Sequence, residues 1–177
     1  MKTHSVIDEK YDRQVRLFGE ETQNKLKKMK IAIYGSRNLI SAEILKNIVL
    51  LGVNTIIVSN SIVEETKRLV FDNLCEINED LNIIESSDEK IDYTFVIEDQ
   101  LINIPEIDNT CFICSRCISF YFKKVDHGMC CKVSVKEEHK FVYECMLGGM
   151  VVQEFVKRVQ GLTNSIDSFN LENLLIN

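Results

Sequence analysis

Apolar residues along this chain fall into two alternating rhythms. MKIAIYG, from Met29 to Gly35, is a short apolar run of the kind a buried strand carries, closed by a glycine. In SAEILKNIVLLGV the residues Ile44, Leu45, Ile48, Val49 and Leu51 recur at helical spacing, and Gly52 supplies a stop signal. NTIIVSN follows as a second strand, closing in Ser59 and Asn60. Strand, helix and strand within roughly thirty residues are the first βαβ unit of an open parallel sheet.

The rhythm continues downstream. A helix is predicted over Glu64 to Asp80, with Leu69, Val70, Leu74 and Ile77 on one side. LNIIESS and DYTFVIED read as third and fourth strands, and the sole proline, Pro105, sits in the connection to a fifth, TCFICS. CISFYFKKV, CCKVSV and KFVYE have the shortness and strand-former content of antiparallel strands. MLGGMVVQEFVKRVQGL returns to a helical stripe through Met150, Val151, Val152, Phe155, Val156 and Val159, and an extended tail runs through Phe169 to Ile176. Ahead of all this, residues 11–29 are rich in helix formers with an imperfect stripe of Val15, Leu17, Phe18 and Leu26, which predicts one helix or two short ones. No repeat, low-complexity stretch or Pro- or Ser-rich linker interrupts the series. The expected fold is α/β, a doubly wound, Rossmann-like, mostly parallel sheet with a short antiparallel extension. Residues 1–28 form an N-terminal helical arm and residues 29–177 a single domain.

Composition narrows the function classes. A chain of 177 residues, 45% of them apolar, is one domain's worth with ample core. A formal charge of −6 gives no general attraction to nucleic acid. The one basic run, KLKKMK, lacks interleaved aromatics and reads as a solvated helix end, so no nucleic-acid partner is expected. No segment reaches the roughly 18 apolar residues of a membrane span, and the expectation is a soluble intracellular protein without a membrane partner. Seven cysteines, an odd number with no secretory signal ahead of them, argue against a disulfide framework. Cys111, Cys114 and Cys117, followed by Cys130 and Cys131, invite a zinc site. Positions three apart on a strand face opposite sides of the sheet, so buried thiols are expected instead and no metal ligand is assigned.

The turn after the first strand is where a dinucleotide fold does its chemistry, and here it is degenerate. A phosphate loop needs glycines because side chains block a pyrophosphate approaching the amides of a helix N-terminus. GSRNLIS keeps only Gly35, with bulk at Arg37, Asn38, Leu39 and Ile40. The acid that holds a ribose at the end of the second strand is missing as well. Two readings stay open: a scaffold without nucleotide, or an atypical binder that sets Arg37 against phosphate.

YDRQVRLFG, AEILKNIVLLGV and GGMVVQEFVKR, in this order from Tyr11 to Arg158, resemble the activating-enzyme (E1) superfamily of ubiquitin-like proteins. Within it the chain is most similar to the small, non-cysteine subunits of the SUMO-activating heterodimers. The resemblance implies an E1/ThiF-like adenylation fold that has lost its nucleotide loop. Aligned through Glu43 and Lys46-Asn47, the family's three loop glycines fall on Ser36, Leu39 and Ser41, its ribose acid falls on Asn60, and Gly35 is displaced by one. The usual long insertion before the late helix is nearly absent.

What the resemblance implies for function follows. Two related folds pair face to face, and a large catalytic E1 subunit binds ATP and Mg, adenylates the C-terminal glycine of a SUMO-like modifier and captures it on a cysteine. This chain would be the regulatory pseudoenzyme of the pair, inactive alone, without a cofactor of its own, and located in the nucleus or also the cytoplasm. Arg13, in the YDRQ motif, is implied to cross the dimer and contact the phosphates of the partner's ATP, where a fixed guanidinium stabilises developing charge. Arg16 either assists or pairs with an acid. Tyr11, Leu17 and Phe18 are interface candidates that anchor the segment to body or partner. Cys117, after Arg116, and Cys130, near His127, are the weighed thioester nucleophiles, with packing favoured over catalysis. The alternatives are a NEDD8-activating small subunit, a stand-alone Rossmann-like enzyme, and a purely structural module.

Overall fold

The computed structural model describes residues 9–70, 73–98, 108–122 and 137–171. A seven-stranded sheet organises them in the order β3-β2-β1-β4-β5-β6-β7. Its strands are β1 (Lys30–Gly35), β2 (Thr55–Val58), β3 (Asn82–Ile84), β4 (Tyr93–Glu98), β5 (Thr110–Cys114), β6 (Ser119–Tyr121) and β7 (Ser168–Asn170). The first five are mutually parallel, and β6 and β7 add antiparallel at one edge. The chain starts in the middle, winds outward through β2 and β3, then returns to lay β4 against β1, the doubly wound arrangement with its switch point between β1 and β4.

Side-chain alternation explains why the strands sit still. Tyr93, Phe95 and Ile97 of β4, with Cys111 and Ile113 of β5, enter the large core beneath the helices. Val96, Phe112 and Cys114 face the other way, into a smaller cluster with Cys117 and Tyr121. A slip of one residue would exchange these sets, so burial fixes the register. Cys111 is thus separated by the sheet from Cys114 and Cys117, and no group of three or more metal-ligating side chains is clustered among the described residues.

The helical layer is built on α3 (Leu39–Leu50), whose Ile40, Ile44, Leu45, Ile48 and Val49 are fully buried. It packs against α4 (Asn60–Val70) and the long α6 (Glu137–Val159). A Cβ at Gly148 of α6 would come within 2.7 Å of the Glu43 Cβ of α3, so this glycine sets the closest approach of the two helices. A short α5 (Leu74–Ile77) follows α4.

Two elements differ from the sequence expectation. KFVYE is not a strand: it is the N-terminal part of α6, which carries Phe141 and Val142 on its exposed side and hides the helical period. The helix expected over Glu64 to Asp80 is two pieces, and the first begins at Asn60, directly after β2, because Ile62, Val63 and Thr66 supply its buried face. CCKVSV, Pro105, Cys130 and Cys131 lie outside the described residues. The arm forms two helices, α1 (Asp12–Phe18) and α2 (Glu20–Lys28), broken at Gly19 with φ +87°.

Candidate functional site

In a parallel sheet of this kind, ligands gather outside the carboxyl ends of the strands at the switch point. Here the loop that leaves β1 is drawn tightly against β4. Gly35 (φ +108°) lies so close to β4 that a Cβ there would meet the Ile97 carbonyl, and the Ser36 amide donates to that same oxygen at 2.7 Å. The surviving glycine brings two strand ends together and opens no cradle. Asn38 then caps α3: its Oδ1 accepts from the Ser41 amide at 3.0 Å, and the Ser41 hydroxyl accepts from the Asn38 amide at 3.1 Å. This reciprocal capping box engages donors that a phosphate at the helix N-terminus would need.

The two neighbouring polar residues are engaged too. Arg37 makes two hydrogen bonds to Glu65 Oε2, at 2.8 and 3.0 Å, and Glu65 is also within reach of Arg68. An arginine neutralised in this way, beside a carboxylate that repels phosphate, is not a phosphate clamp. Asn60, the position of the family's ribose acid, starts α4 and donates to Glu85 at 2.7 Å. Asn38, Ser41, Arg37 and Asn60 at this end thus all have partners within the chain.

The arm docks at the opposite end. Helix α3 leaves the carboxyl end of β1 and returns to the amino end of β2, so its C-terminus marks the amino edge of the sheet. Tyr11 is 5% exposed and lies against Gly52, where a Cβ would come within 2.7 Å of its ring. Lys27 Nζ stands 4.6 Å from the same ring's centroid, a cation–π contact. Two glutamines finish the helix: Gln14 donates to the Leu50 carbonyl at 2.8 Å and Gln23 to the Leu51 carbonyl at 2.9 Å. Carbonyls in the last turn of a helix lack intrahelical partners, and here the arm supplies them. Two more bonds tie the arm to the end of α6: Gln160 donates to the Phe18 carbonyl and Lys25 to the Val159 carbonyl.

The residues predicted for the site thus separate. Arg16 pairs with Asp12 one turn earlier, at 2.9 Å. Tyr11 is buried in the chain's own body, and Phe18 packs against the core. Leu17 is 81% exposed. Arg13 is exposed and has no ion pair among the described residues. Within YDRQ, then, Tyr11 and Gln14 hold the segment to the body, Asp12 pairs within α1, and Arg13 is presented to solvent. It stands beside the C-terminal end of α3, a 12-residue helix and so about 18 Å long, while the degenerate loop lies at the other end. The roles of Gln14 and Gln23 were missed from sequence, because a cap supplied from 28 or 36 residues away leaves no local pattern.

Three of the described cysteines have surroundings that can be stated. Cys117 is buried and 2.9 Å from the Ser119 hydroxyl. Burial, then the nearby Glu43, pushes the Cys145 thiol up, and burial pushes Cys111 up strongly. Thiolate chemistry asks for the reverse environment.

Solved structures share this architecture. Escherichia coli MccB, crystallised with AMPCPP and MccA, superposes with a TM-score of 0.61 at 15% identity, covering 93% of this chain and 67% of its own. MccB with ATP gives 0.60 at 14% identity over 91% of this chain. PaaA gives 0.57 at 15% identity, covering 98% of this chain and 73% of its own. The fold is E1/ThiF-like. At the level of sequence, SUMO-activating enzyme subunit 1 of Danio rerio is 36% identical over 76 residues, 40% of this chain. The chain spans only 22% of the length of that curated relative. No family model matches the chain. The chain is thus similar in part of its sequence to a SUMO-activating subunit and in fold to MccB and PaaA.

Proposed function

We propose that the chain is the non-catalytic small subunit of a two-chain E1 and gives Arg13 in trans to the ATP site of a large catalytic subunit. The observation that carries this reading is placement. Among the described residues Arg13 makes no ion pair, Tyr11 and Gln14 of the same motif fasten it, and it stands a helix length away from its own strand-end loop. An arginine so held has no phosphate to meet within its own fold, whereas a second fold packed against the arm would bring one. The occluded loop supports the same division of labour: ATP and Mg belong to the partner, and this chain binds neither. SUMO is the favoured modifier because the partial sequence relative is a SUMO-activating subunit, with a NEDD8-activating role as the alternative. A nuclear location goes with that assignment.

The guanidinium's chemistry suits the role. Adenylation of a carboxylate builds negative charge on the phosphates, and a planar, always charged donor held in place stabilises it without reorganising. The test is ATP–pyrophosphate exchange by the large subunit and modifier, with native chain or Arg13→Ala. At equal complex formation, Arg13→Ala is expected to lower exchange by about a hundredfold or more. Complex formation itself should survive, since Tyr11, Gln14 and Gln23 hold the arm. Unchanged exchange would sink the trans role and leave a scaffold.

A further inference from the structure

Helix α6 keeps an apolar stripe on the side turned away from the sheet. Val142 is 54% and Met146 50% exposed, and Gly149 follows at the next step of the same seam, with nothing within 4 Å of the place a Cβ would take. Steps of four and three residues put these positions on one line along the helix. The neighbouring α3 carries a matching stripe, in which Leu39, Glu43, Lys46 and Leu50, three or four residues apart, escape full burial. The charges within it are closed on each other, since Lys46 Nζ lies 2.6 Å from both carboxylate oxygens of Glu43. A two-helix face that exposes Met, Val and Leu around an ion pair already made has the composition of an interface core.

The order of residues along both helices says what fits this face. About the point midway between Leu147 and Gly148, Met146 mirrors Gly149, Val142 mirrors Gln153, and Glu138 mirrors Lys157. About the point midway between Ile44 and Leu45, Glu43 mirrors Lys46 and Leu39 mirrors Leu50. A knob falls opposite a notch, acid opposite base, and leucine opposite leucine. The two midpoints stand abreast: a Cβ at Gly148 would come within 2.7 Å of the Glu43 Cβ, and each midpoint lies within about 3 Å of that contact along its own helix. Both helices run the same way, α3 ending beside Gln14 and α6 beside Lys25 at the amino edge. Positions that pair i with j and j with i about one axis are what an isologous contact requires.

We propose that this face docks a second copy of the chain, two-fold and antiparallel, α3 upon α3 and α6 upon α6. Met146 of each copy enters the notch at Gly149 of the other, Leu39 meets Leu50, and the two ion pairs of Glu43 and Lys46 join into a cluster of four charges. Glu138, in the first turn of α6, meets Lys157, in the last turn, which also bonds Glu154 in its own helix. Helix ends of opposite dipole come together there. An unlike partner sets no condition that the two halves of this chain's own helices match each other, whereas a second copy does. The arm and Arg13 supply nothing to the contact, so the homodimer stands whether or not the chain serves a two-chain E1.

Sedimentation of the full chain across about 1–200 μM tests this. The native chain is expected to associate within that range and to stop at the dimer. Gly149→Met should weaken association about tenfold or more, because two side chains then compete for one notch. Its thermal unfolding, measured where the native chain is monomeric, should be unchanged or raised, since the position is open within the chain and loses a helix glycine. Adding Met146→Gly to Gly149→Met exchanges knob and notch and should restore the dimer, a recovery that the antiparallel register requires. A chain that is monomeric throughout overturns the proposal and leaves the face to an unlike subunit. A dimer indifferent to Gly149→Met, or a double variant that stays apart, overturns it by putting the contact on another face or in another register.

Discussion

Cys111 and Tyr93 are neighbours on adjacent strands, and both are acids kept neutral by burial. Their ordinary values, 9.0 for the thiol and 10.0 for the phenol, apply to the unfolded chain. Above pH 9 the unfolded state therefore loses protons that the folded state keeps. Fewer bound protons in the unfolded state mean that stability falls as pH rises, by up to about 1.4 kcal/mol per unit for each group. The contribution is whole below pH 9 and is lost progressively above it, first for Cys111 and then for Tyr93. Urea unfolding of native chain and Cys111→Ala at pH 7, 9 and 10 is expected to show a shallower alkaline decline in the variant. Its lower absolute stability at pH 7 would report the cavity and leave that slope comparison intact.

Among elements, the crossing of α3 and α6 carries the clearest test. Adjacent glycines of one helix occupy opposite circumstances: a Cβ at Gly148 would press on Glu43, whereas nothing lies within 4 Å at Gly149. Gly149→Ala should stabilise the chain by about 0.5–1 kcal/mol, the gain in helix propensity. Gly148→Ala should destabilise it, because the same gain is outweighed by forcing apart two helices whose buried faces share one core. Denaturant midpoints of the two variants read the difference directly. The GG pair is visible in the sequence but its asymmetry is not, since the sequence does not say which glycine faces α3. The same holds for other elements. The βαβ start was legible because Ile44, Leu45, Ile48 and Val49 keep strict period, and β4 and β5 because short apolar runs bounded by turns have few other uses. KFVYE misled because Phe141 and Val142 are apolar residues on an exposed side, where period carries no information about burial. At the candidate site, loss of the glycines was legible, but the pairing of Arg37 with Glu65 depends on α4 starting at Asn60, a boundary that Ser59-Asn60 does not announce.

For the whole molecule, the two ends of the sheet make separate predictions. With Asn38 and Arg37 engaged within the chain, MgATP is expected to leave the unfolding midpoint of the isolated chain unchanged, where a ligand at a hundred times its dissociation constant would add about 2.7 kcal/mol. A clear rise with MgATP would return the chain to the active-nucleotide class. The partner subunit should raise that midpoint with concentration, as any ligand of the folded state does.

The bridge between Arg37 and Glu65 has one more consequence, for symmetry. If two like folds meet about an approximate two-fold axis, every crossing is made twice, and an arm from the partner arrives where Arg37 already stands. A guanidinium coming from outside meets a guanidinium in residence and a carboxylate already taken. The assembly is then symmetric in shape and one-sided in chemistry. By the same geometry, two copies of this chain placed together would form a dimer with two blind faces, so the proposed function calls for an unlike partner.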